Sequence, residues 1–480
     1  KMHSYRMKIF WRQFRTFFSI RKFLVFEFTN TPYRKRLLTA IVGAFIAIFG
    51  FSTPLGFGSA GELLATLSTV LGFVTAVVGV LGAFSTINEA KPQLPDCDFV
   101  IGVSPEAPKF VLATDETASK LPMKIMGDWS LCFIHKGRNA KGAIYVSRAY
   151  EARVCRNVSL PYQVIGNHIT RISQSYVAPW HNAIAALFCM SQRRPLINEK
   201  KLSQWRFPVY FNEILQFSKT SYLSSAITNE LTNKKIFERP GRGAAPPSTW
   251  GVRFDFFYSL SPFVLAQGGW VFDEGKYDFL SNHIGITTLA VTNDGYALIF
   301  RVDSSSQIGA GEMSCAGSGS MDYSDLKMTE TGQDFRVVLR AAMARELLEE
   351  TRWPVGFASI NQRAVDIVRN TIVIGVFLWA ERGCKPEYLG VTRINADFSV
   401  ISPDSFELDK SIGLRFKFEN YDFRSARRFI DRMTEEDTFN LSTAAVLNRL
   451  AELGDAVLDQ SNPDHAFALD VRRKIFVSPA

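Results

Sequence analysis

The sequence predicts a membrane-anchored α/β protein, with a two-helix hairpin in the bilayer and a cytosolic region of alternating strands and helices. Three observations carry this. Two uncharged apolar runs lie close together near the N-terminus, the basic excess sits ahead of them, and β-rich runs alternate with helical patterns from about residue 280 onward.

The chain has 480 residues, 47% hydrophobic and 21% charged, which suits two or three folded domains. Its formal charge is +9, but ten Lys or Arg lie in residues 1–36 against the single acid Glu27. The other 444 residues balance at 45 basic and 45 acidic, so a domain-wide nucleic-acid surface is excluded and no nucleic acid polymer is expected as partner. Six scattered cysteines with no CxxC, and six scattered histidines, give no zinc spacing and fit a reducing compartment.

Residues 1–36 interleave the cations with Tyr5, Phe10, Trp11, Phe14 and further rings. Such a segment suits a headgroup layer, with membrane lipids as partners, or else an arm on the soluble domain. Leu37 to Leu55 and Leu63 to Phe84 then carry no charge over 19 and 22 residues, each enough for a spanning helix. Small residues at four-residue spacing (Thr39, Gly43, Ala47; Ser68, Gly72, Ala76) permit close helix contact, within one hairpin or between protomers of a homo-oligomer. The leading cations hold the N-terminus in the cytoplasm by the positive-inside rule, and two spans return the C-terminus there. The domain plan is thus an interfacial segment at 1–36, two spans within 37–84, an α/β region of unknown role at 91–270 and a ligand-binding domain at 271–480.

In the 91–270 region, Ala143 to Val146 reads as a short strand, Ala178 to Met190 as a buried helix, and Arg239 to Ser248 as a loop. Beyond it, Ile284 to Thr292 and Tyr296 to Asp303 read as strands joined by the tight turn Asn293-Asp294-Gly295. A Gly/Ser-rich loop follows at Cys315 to Ser320, then a helix from about Asp334 to Thr351, a buried strand at Thr371 to Ala380, and a helix at Ser442 to Leu453 with Ser442 as N-cap.

The Asp334–Thr351 helix ends in Arg345-Glu346-Leu347-Leu348-Glu349-Glu350-Thr351, so Glu346, Glu349 and Glu350 share one face at i, i+3 and i+4. Clustered carboxylates are either a solvated face or a site for a hard cation such as Mg²⁺ or Mn²⁺. The loop Gly317-Ser318-Gly319-Ser320 offers backbone amides to a phosphate, or is a flexible turn. Arg301 is a further phosphate candidate with a surface ion pair as its alternative, and Trp379 and Tyr388 either stack on a base or fill the core.

The run RELLEE resembles the core of the Nudix box, in which a Gly, five residues, a Glu and seven residues precede Arg-Glu-aliphatic-x-Glu-Glu-x-Gly-aliphatic. The resemblance covers about residues 280–460. It implies an α/β/α sandwich with a mixed sheet, divalent metal on Glu346, Glu349 and Glu350, water activation by Glu346 if the protein hydrolyses, and an orienting role for Arg345. The flanks depart from the pattern: the first Gly falls on Thr331, with Gly332 one place out of register, the early Glu on Val337, the late Gly on Arg352 and its aliphatic on Trp353. These departures favour binding without turnover over an enzyme.

Two spans followed by such a domain are similar to the two-transmembrane Nudix effectors of bacterial cyclic-oligonucleotide antiphage systems (CBASS). That likeness implies an inner-membrane protein of antiphage defence that senses a cyclic nucleotide, oligomerises and disrupts the membrane. A membrane-anchored Nudix hydrolase of nucleoside-diphosphate-linked substrates is the alternative, and a protein-binding scaffold a third.

Overall fold

The computed structural model describes residues 98–103, 121–136, 141–156, 159–167, 199–207, 214–239, 251–256, 260–267, 269–302, 311–327, 334–352, 360–403, 408–433 and 438–476. Val100–Met190, Glu199–Glu238 and Pro247–Ala480 form one compact unit. The other unit, Lys1–Phe99 with Ser191–Asn198 and Arg239–Pro246, lies almost wholly outside the described residues.

The centre of the compact unit is a nine-stranded sheet. Its strands in chain order are β1 (Ser130–His135), β2 (Lys141–Val146), β3 (Gly285–Val291), β4 (Tyr296–Val302), β5 (Met313–Cys315), β6 (Gly317–Ser320), β7 (Thr371–Trp379), β8 (Lys385–Arg393) and β9 (Leu408–Lys417). The spatial order is β5-β4-β3-β8-β7-β2-β1, with β6 on β3 and β9 on β4. β3 and β8 run parallel, while β7 pairs antiparallel with β8 and with β2, so the sheet is mixed. Ser130–Val146, from the region the sequence leaves without a role, supplies two of these strands.

All residues of β3 and β8 are buried, as expected of strands covered on both faces. The side chains alternate between two cores. Ile286 and Tyr388 join Phe335, Val338, Leu339 and Met343 of α2 (Phe335–Glu350). Leu289, Val291, Leu389 and Val391 join residues of α4 (Ser425–Arg432), α5 (Leu441–Leu458) and α6 (His465–Phe476) on the opposite face. Two further helices are α1 (Arg148–Arg156) and α3 (Ile360–Asn370).

The turn after β3 forms as its residues require. Gly295 takes φ 82°, a left-handed value that suits glycine, and its N–H donates to the Thr292 carbonyl. β3 and β4 pair only beside this turn, at Val291 and Ala297, and then part. The segment 313–320 fills the gap: β5 pairs with β4 through Cys315–Ile299, and β6 pairs with β3 from Gly317–Thr288 to Ser320–Gly285. The run read as a Gly/Ser loop is therefore a strand.

Helix ends follow side-chain caps. Asp334 accepts from the Arg336 N–H at the start of α2. The cap of α5 is Asn440 rather than Ser442, because Asn440 Oδ1 accepts from the Thr443 N–H at 2.8 Å while Ser442 sits inside the first turn.

The expected membrane hairpin, and the inner-membrane placement with both termini cytoplasmic, are corrected: among the described residues no helix is long and apolar enough to cross a membrane. The longest, α5, has 18 residues, carries Arg449, Glu452 and Asp455, and buries its apolar side on the sheet. The two apolar runs at 37–84 and the aromatic segment at 1–36 lie outside the described residues, as do the expected helix at Ala178 to Met190 and most of the expected loop at Arg239 to Ser248.

Candidate functional site

The C-terminal half of α2 lies directly over β6. Gly317 and Gly319 face the helix on alternate positions of the strand. A Cβ at Gly319 would fall within the Glu346 carboxylate, and one at Gly317 would lie 2.5 Å from Thr288 Cγ2. A side chain at Gly319 would displace the Glu346 carboxylate, and one at Gly317 would displace Thr288. Glu346 and Glu350 turn inward, 9% and 6% exposed, and take the amides of the strand: Ser320 N–H donates to Glu346 Oε1 at 3.2 Å, and Ser318 N–H to Glu350 Oε2 at 3.4 Å. Glu349 points to the rim, with its side chain 47% exposed.

Arg345 binds the assembly together. Its Nε and Nη2 donate to Asp325 at 2.8 and 3.1 Å, Nη1 to Glu346 at 3.0 Å and Glu349 at 3.2 Å, and Nη2 to the Ser320 carbonyl at 3.0 Å. Burial opposes its charge, but Glu346, Asp325 and Asp322 outweigh that and hold its pKa above the ordinary arginine value. Lys201 reaches in from the strand Lys200–Gln204 and donates to Asp322 at 2.6 Å and Glu199 at 2.9 Å. Burial works against this charge too, and Glu199, Asp322 and Glu346 raise its pKa above the ordinary lysine value.

The result is a latch in which carboxylates of α2 accept from an arginine and from two strand amides. One oxygen each of Glu346 and Glu350 satisfies a part-buried donor, and removing such a partner is costly. Among the described residues no group of three or more His, Cys, Asp or Glu is placed to hold a metal ion. Glu346, Glu349 and Glu350, the expected Mg²⁺ or Mn²⁺ ligands, each engage one oxygen in this arrangement, on Arg345 or on a β6 amide.

The other candidates separate. Gly317, Ser318, Gly319 and Ser320 meet the glutamates of α2, and amides 318 and 320 donate to those carboxylates. Arg301 Nη1 donates to the Gly311 carbonyl beside its own strand. Tyr388 is buried with its hydroxyl 3.0 Å from that of Tyr150, and Trp379 packs in the core under the Arg382 guanidinium. Asp322, Asp325, Glu199 and Lys201 were not picked out from sequence. Lys201 lies far from the box in the chain, and only the fold brings it there. Comparison with protein-family models and with curated proteins finds no match.

Proposed function

We propose that the α/β unit is a sensor on a Nudix-like scaffold, binding a nucleotide second messenger, a cyclic nucleotide in the first instance, and returning it intact. What supports this is the engagement of Glu346 with Arg345 and the Ser320 amide, and of Glu350 with the Ser318 amide. A Nudix-type hydrolase needs those carboxylates available to a cation. In this protein they join helix to strand instead, and the box flanks that would complete a catalytic loop are absent from the sequence.

The test uses the purified full chain with a panel of cyclic and linear nucleotides and Mg²⁺, following bound ligand and products by mass spectrometry. A cyclic nucleotide bound and recovered intact is the expected result. Rapid cleavage of a linear diphosphate, abolished in Glu350→Gln, overturns the proposal in favour of the hydrolase. Absence of binding by any nucleotide also overturns it, and leaves a protein-binding role.

A further inference from the structure

The parallel strands β3 and β8 end together at the register pair Val291–Arg393. In open α/β sheets the crevice beyond the carboxyl ends of parallel strands is the place where ligands bind. Here that crevice is a recess of about 410 Å³, lined by Arg369 and Asn370 at the end of α3, Arg393 at the end of β8 and Asn395 after it, and Arg473 and Lys474 in the last turn of α6, with Asp366 as its acid. We propose that this recess is a binding site for a diphosphate-bearing small molecule.

Charge, rigidity and size point the same way. Four cations face Asp366, and Asp470, which pairs with Arg473 at 2.9 Å and Lys474 at 2.8 Å, leaves an excess of two positive charges. Arg393 is 9% exposed, and its Nη2 donates to Asn293 Oδ1 at 3.4 Å. The chain around it is fixed, since Ile394 N–H donates to the Val291 carbonyl and Asn293 N–H to the Ala396 carbonyl. Arg473 and Lys474 are mobile-length cations at the rim, with side chains 72% and 55% exposed. Guanidinium groups match phosphate oxygens in pairs, a lysine adds a point charge, and two amide side chains can take hydroxyls. The volume is at the small end of ligand pockets and holds a diphosphate with a sugar.

The recess is separate from the latch, which lies over Gly285–Thr288 at the amino end of β3, roughly 15 Å away along the strand. The site stands on its own geometry and holds whether or not the box glutamates cleave anything.

Calorimetric titration of the full chain with inorganic pyrophosphate at low ionic strength tests it. The wild type should bind one equivalent, Arg369→Gln and the rim pair Arg473→Gln/Lys474→Gln should each weaken binding about tenfold, and Glu349→Gln at the latch should leave it unchanged. The rim pair is exposed and keeps the test informative if an Arg393→Gln variant fails to fold. No binding by the wild type, or equal binding by the recess variants, overturns the proposal. A change of binding in Glu349→Gln as large as that in the recess variants overturns it too, by placing the anion at the latch.

Discussion

Replacing Glu346 by Ala separates a latch from a metal site by the sign of the stability change. In the latch, Glu346 Oε1 accepts from Arg345 Nη1 at 3.0 Å and from the Ser320 amide at 3.2 Å. Hydrogen bonds to a charged partner contribute about 1.5–3 kcal/mol each. Relief of repulsion from Glu349 and Glu350 returns part of this, a few tenths of a kcal/mol for like charges on a helix face. Arg345 keeps Asp325 and the Ser320 carbonyl, which limits the loss further. The net expectation is a destabilisation of about 3 kcal/mol, identical in EDTA and in Mg²⁺. Glu346→Gln, which retains an acceptor for the Ser320 amide, should lose roughly half as much. Urea unfolding followed by circular dichroism measures both. Three carboxylates awaiting a cation behave in the opposite way, because deleting one relieves repulsion. A Glu346→Ala protein as stable as the wild type in EDTA, with Mg²⁺ stabilising only the wild type, would refute the latch.

Three further outcomes follow from the geometry. Gly319→Ala places a methyl group against the Glu346 carboxylate and should cost about 1–3 kcal/mol by urea unfolding, with no loss meaning that the helix does not lie this close. Asn440→Ala removes the α5 cap and the 2.8 Å donor to Ser314 Oγ, so about 1–2 kcal/mol should be lost, against almost nothing for Ser442→Ala. Burial and the nearby Arg382 bring the Lys385 amine down to about 8, although Glu387 lies 3.0 Å away. The unfolded chain then holds more protons between pH 8 and the ordinary lysine range, so stability from this group rises with pH across that window. Relative to Lys385→Met/Glu387→Gln, the wild type should gain on the order of a few kcal/mol from pH 8 to pH 10.5, and a flat or falling difference would contradict the shift.

Much of the sheet was legible because its central strands are near-continuous apolar runs bounded by turn residues. Tyr296 to Asp303 and Thr371 to Ala380 match β4 and β7 to within a residue, and the helical pattern from about Asp334 matches α2. Gly317-Ser318-Gly319-Ser320 misled for a physical reason. Glycine in a short polar run usually marks a loop, but here it admits two helix carboxylates to strand amides, a tertiary demand with no local signal. Ser442 and Asn440 are both good caps, and the choice rests on how Asn440 also holds Ser314 across the core. The carboxylates of the helix are visible as a cluster, whereas Asp325, which also accepts from Arg345, and Lys201, which pairs with Asp322 and Glu199, belong to other segments. The basic recess draws on three segments more than 70 residues apart at their extremes, so no motif announces it.

The most direct measurement is a Mn²⁺ titration of the full chain by electron paramagnetic resonance, comparing wild type with Glu346→Gln and Glu350→Gln. If the box carboxylates are committed to Arg345 and to the β6 amides, the three proteins leave the same free Mn²⁺ signal throughout. A wild-type site that captures Mn²⁺ and disappears in Glu350→Gln would show that the glutamates are metal ligands after all.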